Sequence, residues 1–214
     1  MSQIQDDWSQ ITAWLRDHAP LSYARLRPGA DPVRIDELEE YLGRLLHPDH
    51  RALLRVCDGT VEEWQAEECL EDDDPGMILD RQHLLSVDGV RAVRVTGDDL
   101  WDEWWRDWVP VTVNDYSSWP VSGLAVGPGG VLDDFALYDG TAPGAVPPPQ
   151  ERTLARHVAA LAQALETGTG PLTNEWTVPG VAMDRLMWGH PAKNTVQVMR
   201  EDGYEEVPWR PVRR

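Results

Sequence analysis

Apolar residues recur at helical spacing from the start of the chain. Ile4, Trp8, Ile11 and Leu15 lie on one stripe of a 3.6-residue repeat. Asp6 and Asp7 suit the beginning of that helix, and Pro20 ends the run. "RPGADP" reads as a turn, after which Asp31 supplies a cap and Pro32 a first helical residue. The helix they open carries its stripe on Ile35, Leu38, Leu42 and Leu45. "HPDHRALLRVCDG" predicts a third, short helix beginning at Pro48 and stopped by Gly59. Ser86 is placed to cap a further helical region, "VDGVRAVRVTGDDLWDEWWRDW", broken near Gly97. Trp101, Trp104, Trp105 and Trp108 line one side of it, a pattern that core packing explains more simply than sugar or peptide binding.

The period then shortens. "WVPVTV", "WPVSGLAV" and "VLDDFALY" read as strands over 108–113, 119–126 and 131–138, separated by the turns "NDYSS" and "GPGG". Connections this short cannot make a parallel crossover, so neighbouring strands must pair antiparallel. Pro110 and Pro120 belong at strand starts or on an edge. "APGAVPPPQ" is a stiff linker, and 151–166 returns to helical spacing on Leu154, Val158, Leu161 and Leu165. Beyond Gly168 one strand is suggested at "NTVQVM". The residues expected in the core are Leu38, Leu42, Leu53, Leu124, Val126, Val158 and Leu161.

Charge adds what hydropathy does not. The 214 residues carry a formal net charge of −18, which repels phosphate backbones and excludes a direct nucleic-acid binder. The imbalance is concentrated, with sixteen Asp and Glu against four Arg between Asp58 and Asp107. The first residues lack a basic region followed by a long apolar run, so no secretory signal is expected, and no stretch reaches the roughly 20 apolar residues of a membrane span. Cys57 and Cys69 form no CxxC pattern or disulfide framework. The expectation is a cytoplasmic protein with reduced thiols.

Candidate chemistry is sparse. His47 and His50 are spaced for two ligands on one helical face, but no further ligands follow at a zinc-like interval, and a surface helix start accounts for them. Asp72, Asp73 and Asp74 lack the alternation and distal Glu of a calcium loop. "GPGG" opens onto a strand with no Lys-Ser/Thr behind it, so it is a hairpin turn and not a phosphate loop. Ser117, Ser118 and Ser122 lie outside any G-x-S-x-G elbow. No catalytic residue, metal or cofactor is expected.

Taken in order, these elements resemble the SUKH superfamily, the Smi/Knr-type domain. The resemblance is carried by Trp8, Ile11, Trp14 and Leu15; by Pro28, Gly29, Ala30, Ile35, Leu38, Glu39, Leu42 and Gly43; by "LHPDHRALLRVCDG" ending at Asp58 and Gly59; and by "LLSVDGV" and "WVPVT". It covers roughly Trp8 to Leu165. His47 stands where the family usually has Leu-Pro directly joined, and the acidic insert after Gly59 is heavier than the family pattern. The resemblance implies an α+β, SUKH-like fold, a mainly antiparallel sheet with helices packed against it. Residues 1–166 would form this domain and 167–214 a C-terminal extension packed on it. It further implies a non-enzymatic protein-binding role, either as an immunity protein that neutralises a toxin domain (a nuclease or deaminase) by contact, or as a regulatory scaffold with an endogenous partner. The acidic surface suits a basic toxin domain as partner, with no nucleic acid and no membrane involved, and leaves the oligomeric state open. The residues expected to bind the partner are Glu67, Glu68, Asp72, Asp73, Asp74, Asp98, Asp99 and Asp102.

Overall fold

Helices form where the apolar stripes meet capping residues. A computed structural model describes residues 2–60, 76–79, 82–98, 107–114, 122–136, 143–144, 151–200 and 203–212. Helix α1, Gln3–His18, buries Ile4, Trp8, Ile11 and Leu15. Pro20 does end it, but proline's fixed φ also opens a short α2, Pro20–Ala24. Helix α3, Pro32–Leu42, starts where the Asp31 carboxylate accepts the Val33 N–H at 2.8 Å and stops at Gly43, left-handed at φ 65°. Helix α4 is Pro48–Val56. It ends before Gly59, whose φ of 82° serves another purpose: a Cβ there would stand 2.5 Å from the Ser86 nitrogen.

The strands then form a meander. After β1 (Met77–Leu79) and β2 (Gln82–Leu84), the Ser86 hydroxyl accepts the Gly89 N–H at 3.0 Å in the first turn of α5, Val87–Asp98. The expected strand over 108–113 is interrupted at Val111, giving β3 (Val109–Pro110) and β4 (Thr112–Val113). Strands β5 (Ser122–Val126) and β6 (Leu132–Ala136) follow. All pairings are antiparallel: β1 with β2, β2 with β4, β3 with β5, and β5 with β6. Val111 N–H to Leu124 O (2.8 Å) and Asn114 N–H to Ser122 O (2.7 Å) carry the pairing past the interruption. The meander is therefore continuous. Pro110 sits in β3, at the edge of its three-stranded group β3-β5-β6, where its missing N–H costs no ladder bond.

Alternation along β5 and β6 divides the apolar residues between two layers. Leu124, Val126 and Leu132 pack with Ile11 and Leu15 of α1, Leu53 of α4, and Leu154, Val158 and Leu161 of α6, Leu154–Thr167. Ala125 and Phe135 face the other way, onto Ile35 and Leu38 of α3 and Val90 and Val93 of α5. The molecule is an α+β fold with helices on both faces of an antiparallel sheet. Among the described residues no helix is long and apolar enough to cross a membrane.

The tail holds more structure than one strand. Strands β7 (Val178–Ala182) and β8 (Arg185–Gly189) form one hairpin, β9 (Thr195–Arg200) and β10 (Gly203–Pro208) another, and β11 (Arg210–Pro211) pairs with β7. Trp209, 2% exposed, fills their own small core with Val178, Met187 and Val198. Leu186 joins the first core, and its N–H donates to the Ser22 hydroxyl of α2 at 3.0 Å.

Three expectations need correction. Leu45 is not on the buried stripe: Gly43 has already ended α3, and Leu45 is 78% exposed. Leu42, in the last turn, is only half-buried against the α3–α5 core. His50 is not at a surface helix start but buried, because α4 turns that face towards the interior.

Candidate functional site

The acidic residues singled out in the sequence fall largely outside the described chain. Glu67, Glu68, Asp72, Asp73, Asp74, Asp99 and Asp102 lie there, and Asp98 is placed only as the last residue of α5. Asp107, the last residue of the acidic stretch that begins at Asp58, is an exposed carboxylate that accepts from Arg44 at 3.4 Å, just past the C-terminus of α3. Helix α5 also approaches α3 directly, with the Arg91 guanidinium 5.8 Å from the centre of the Tyr41 ring.

Helix α3 has a buried and an exposed side. Ile35 and Leu38 point inward and are fully buried, whereas Val33 and Tyr41 point outward and are 60% and 46% exposed. Leu45, beyond the helix, and Val95 of α5 are exposed as well. Asp36, Glu37 and Glu40 lie in water on the same helix. Most of the nearby cations are already matched. Arg51 bonds both Asp36 and Glu39, and Arg34 spans Asp58 at 2.8 Å and Asp88 at 2.7 Å. The exposed side of α3 thus intersperses Val33 and Tyr41 with the carboxylates of Asp36, Glu37 and Glu40.

A charged anchor joins α3 to α5. Asp58, 2% exposed, accepts the Val87 N–H at the start of α5 at 2.8 Å and meets Arg34 at 2.8 Å and Arg27 at 3.2 Å. One carboxylate thereby ties α3, the segment before it and the start of α5 together. Glu39 plays the matching part at the other end of α3, where it accepts the Leu46 N–H at 3.0 Å as well as the Arg51 guanidinium. Both residues belong to the pattern that carries the Smi/Knr-type resemblance, and both act as structural anchors.

Among the described residues, His50 and Cys57 are shielded. Burial, with His47 nearby, pushes His50 down to about 4, so it is neutral near pH 7. His47 caps α4, its Nδ1 accepting the Asp49 N–H at 3.3 Å. Burial raises the Cys57 thiol to about 12, and the thiol donates to the Gly59 carbonyl at 3.3 Å. A thiol in that state is no nucleophile. Among the described residues no three His, Cys, Asp or Glu side chains are grouped to hold a metal. The exposure of Leu45 escaped sequence reasoning because its spacing fits the inner stripe; the stop signal at Gly43 is the clue that separates it from that stripe. The chain matches no family model and no curated protein.

Proposed function

We propose that the chain is a non-enzymatic protein-binding domain of the immunity type, which neutralises a basic toxin domain by covering it. The observation that carries this reading is the exposed side of α3, where Val33 and Tyr41 stay in water among carboxylates and Leu45 is exposed just beyond the helix, although Ile35 and Leu38 of the same helix are fully buried. Large apolar side chains exposed among charges suit a contact site, and tyrosine supplies contact area at a small entropic cost. The exposed carboxylates of α3, together with a net charge of −18, would speed encounter with a basic domain and repel nucleic acid. A nuclease fits this description, since its substrate groove must be basic. The resemblance to Smi/Knr-type domains supports the same reading.

The test begins with purification of the chain from its host and identification of the protein bound to it. The affinity of that partner is then measured for wild type, for Tyr41→Ala with Leu45→Ser, and for a variant with Glu67, Glu68, Asp72, Asp73 and Asp74 changed to their amides. The apolar double variant should bind at least about tenfold more weakly, mostly through faster dissociation. The amide variant should associate more slowly and lose salt dependence. A partner that binds all three alike at low and high salt refutes this surface, and a partner that is an enzyme's substrate refutes the binding role.

A further inference from the structure

A cleft of about 450 Å³ opens on the sheet face opposite α3, between the first turns of α6 and the segment at Pro171–Leu172 that follows it. Its volume lies in the range of small-molecule sites, which are mostly apolar with a few converging polar groups. Here Ala160 and Leu172 supply apolar wall, Leu172 resting on the main core, and Pro171 forms the exposed lip.

The polar groups differ in what they have left to offer. Arg152 is committed: it bonds Asp134 through both nitrogens, at 2.7 and 3.1 Å, with Asp133 at 3.8 Å. Its charge is matched within the protein. His157, one turn into α6, is half-buried and pushed down to about 4 by burial and by Arg152, against the opposing pull of Asp134. It is therefore neutral near pH 7, and its imidazole makes no hydrogen bond among the described residues. Arg156 stands at the rim. Its ion-pair partner is Glu151 at 3.6 Å, and its other contact is the Glu151 carbonyl at 3.5 Å. With side chains 66% and 86% exposed, that ion pair contributes little and a competing carboxylate can displace it.

We propose that this cleft binds a small, flat, apolar acid, its ring against Ala160, Leu172 and Pro171 and its single carboxylate on Arg156 and His157. One displaceable cation matches one negative charge, and a phosphate or nucleotide would find too little positive charge in a protein of net charge −18. The positive end of α6 adds to the attraction at the same rim. This site is independent of the protein-binding face on α3.

The experiment titrates 2-naphthoate, and separately its neutral amide, into the full-length chain while following the methyl resonances of Ala160 and Leu172. The acid should shift both saturably, with Kd on the order of 1 mM or tighter for a ligand of this size. The amide should bind about tenfold more weakly, for want of a charge-assisted hydrogen bond. Arg156→Gln, at an exposed position, should abolish the difference between acid and amide, and Pro171→Trp should cover the cleft and weaken both. Absence of shifts at these methyls, equal binding of acid and amide by the wild type, or an acid preference that survives Arg156→Gln would overturn the proposal.

Discussion

Removing the Asp58 carboxylate should loosen the attachment of α5 to α3 more than any surface substitution can. In Asp58→Ala the Val87 N–H loses the acceptor it meets at 2.8 Å, a capping bond worth about 1 kcal/mol. Arg34 and Arg27, at 2.8 and 3.2 Å, lose their buried counter-charge. Stranding one member of a fully buried pair costs about 3–5 kcal/mol. The arginine side chains, however, are 35% and 21% exposed, so water recovers part of the loss, and about 2–3 kcal/mol is the better figure for this step. The total is then roughly 3–4 kcal/mol. Asp58→Asn keeps an oxygen for Val87 but loses the charge, and should cost about 1.5–2.5 kcal/mol. Urea melts measure both: with a slope of about 2–3 kcal/mol per M, the alanine midpoint should fall by about 1–2 M without a change in slope. A double-mutant cycle with Arg34→Ala should return a coupling of about 1 kcal/mol or more. If the alanine variant loses less than about 1 kcal/mol, or matches the asparagine variant, Asp58 is not an anchor and the account of how α3 and α5 are joined fails.

Acid should weaken the fold through two histidines. His50 and His157 titrate near 4 when folded and near 6.5 when unfolded, so the unfolded chain binds more protons between those values and stability falls as pH drops from about 6.5 towards 4, at up to about 1.4 kcal/mol per unit for each histidine. Replacing His50 by Gln should flatten that slope in melts at a series of pH values; an unchanged slope would remove His50 from the account. The β7–β8 hairpin turns on two residues at positive φ, Met183 at 50° and Asp184 at 59°, a geometry that Asn-Gly fits better. Exchanging the pair for Asn-Gly should raise the urea midpoint by an amount equivalent to about 1 kcal/mol, and a lower midpoint would show that the Met183 side chain matters more than the turn. Truncation to alanine should separate three leucines by burial: about 2–5 kcal/mol at Leu161, about 1–2 at half-buried Leu42, and within ±0.5 at Leu45. A loss at Leu45 comparable to that at Leu161 would contradict its exposure.

Much of this protein was decided locally. The stripe on Ile4, Trp8, Ile11 and Leu15, the Asp31–Pro32 start of α3 and the "GPGG" turn each depend on residues a few positions apart, so the helices, the antiparallel trio and the α+β class follow from spacing and caps. The tertiary structure decided what spacing cannot. What the stretch 108–113 pairs with was set by partners remote in sequence: Val111 donates its N–H to Leu124 O on β5, and its carbonyl accepts from Leu85 N before α5. His50 is buried and Leu45 exposed although both look amphipathic in their stretches, since which side of a helix faces inward depends on the layer it packs against. Asp58 reads as one more carboxylate in an acidic region until α3 and α5 converge on it. The short strands of the tail were hidden for the same reason: each buries few side chains by itself, and Trp209 gives them a core only when 178–209 come together. Local patterns select elements, whereas burial and charge pairing are properties of the assembled chain.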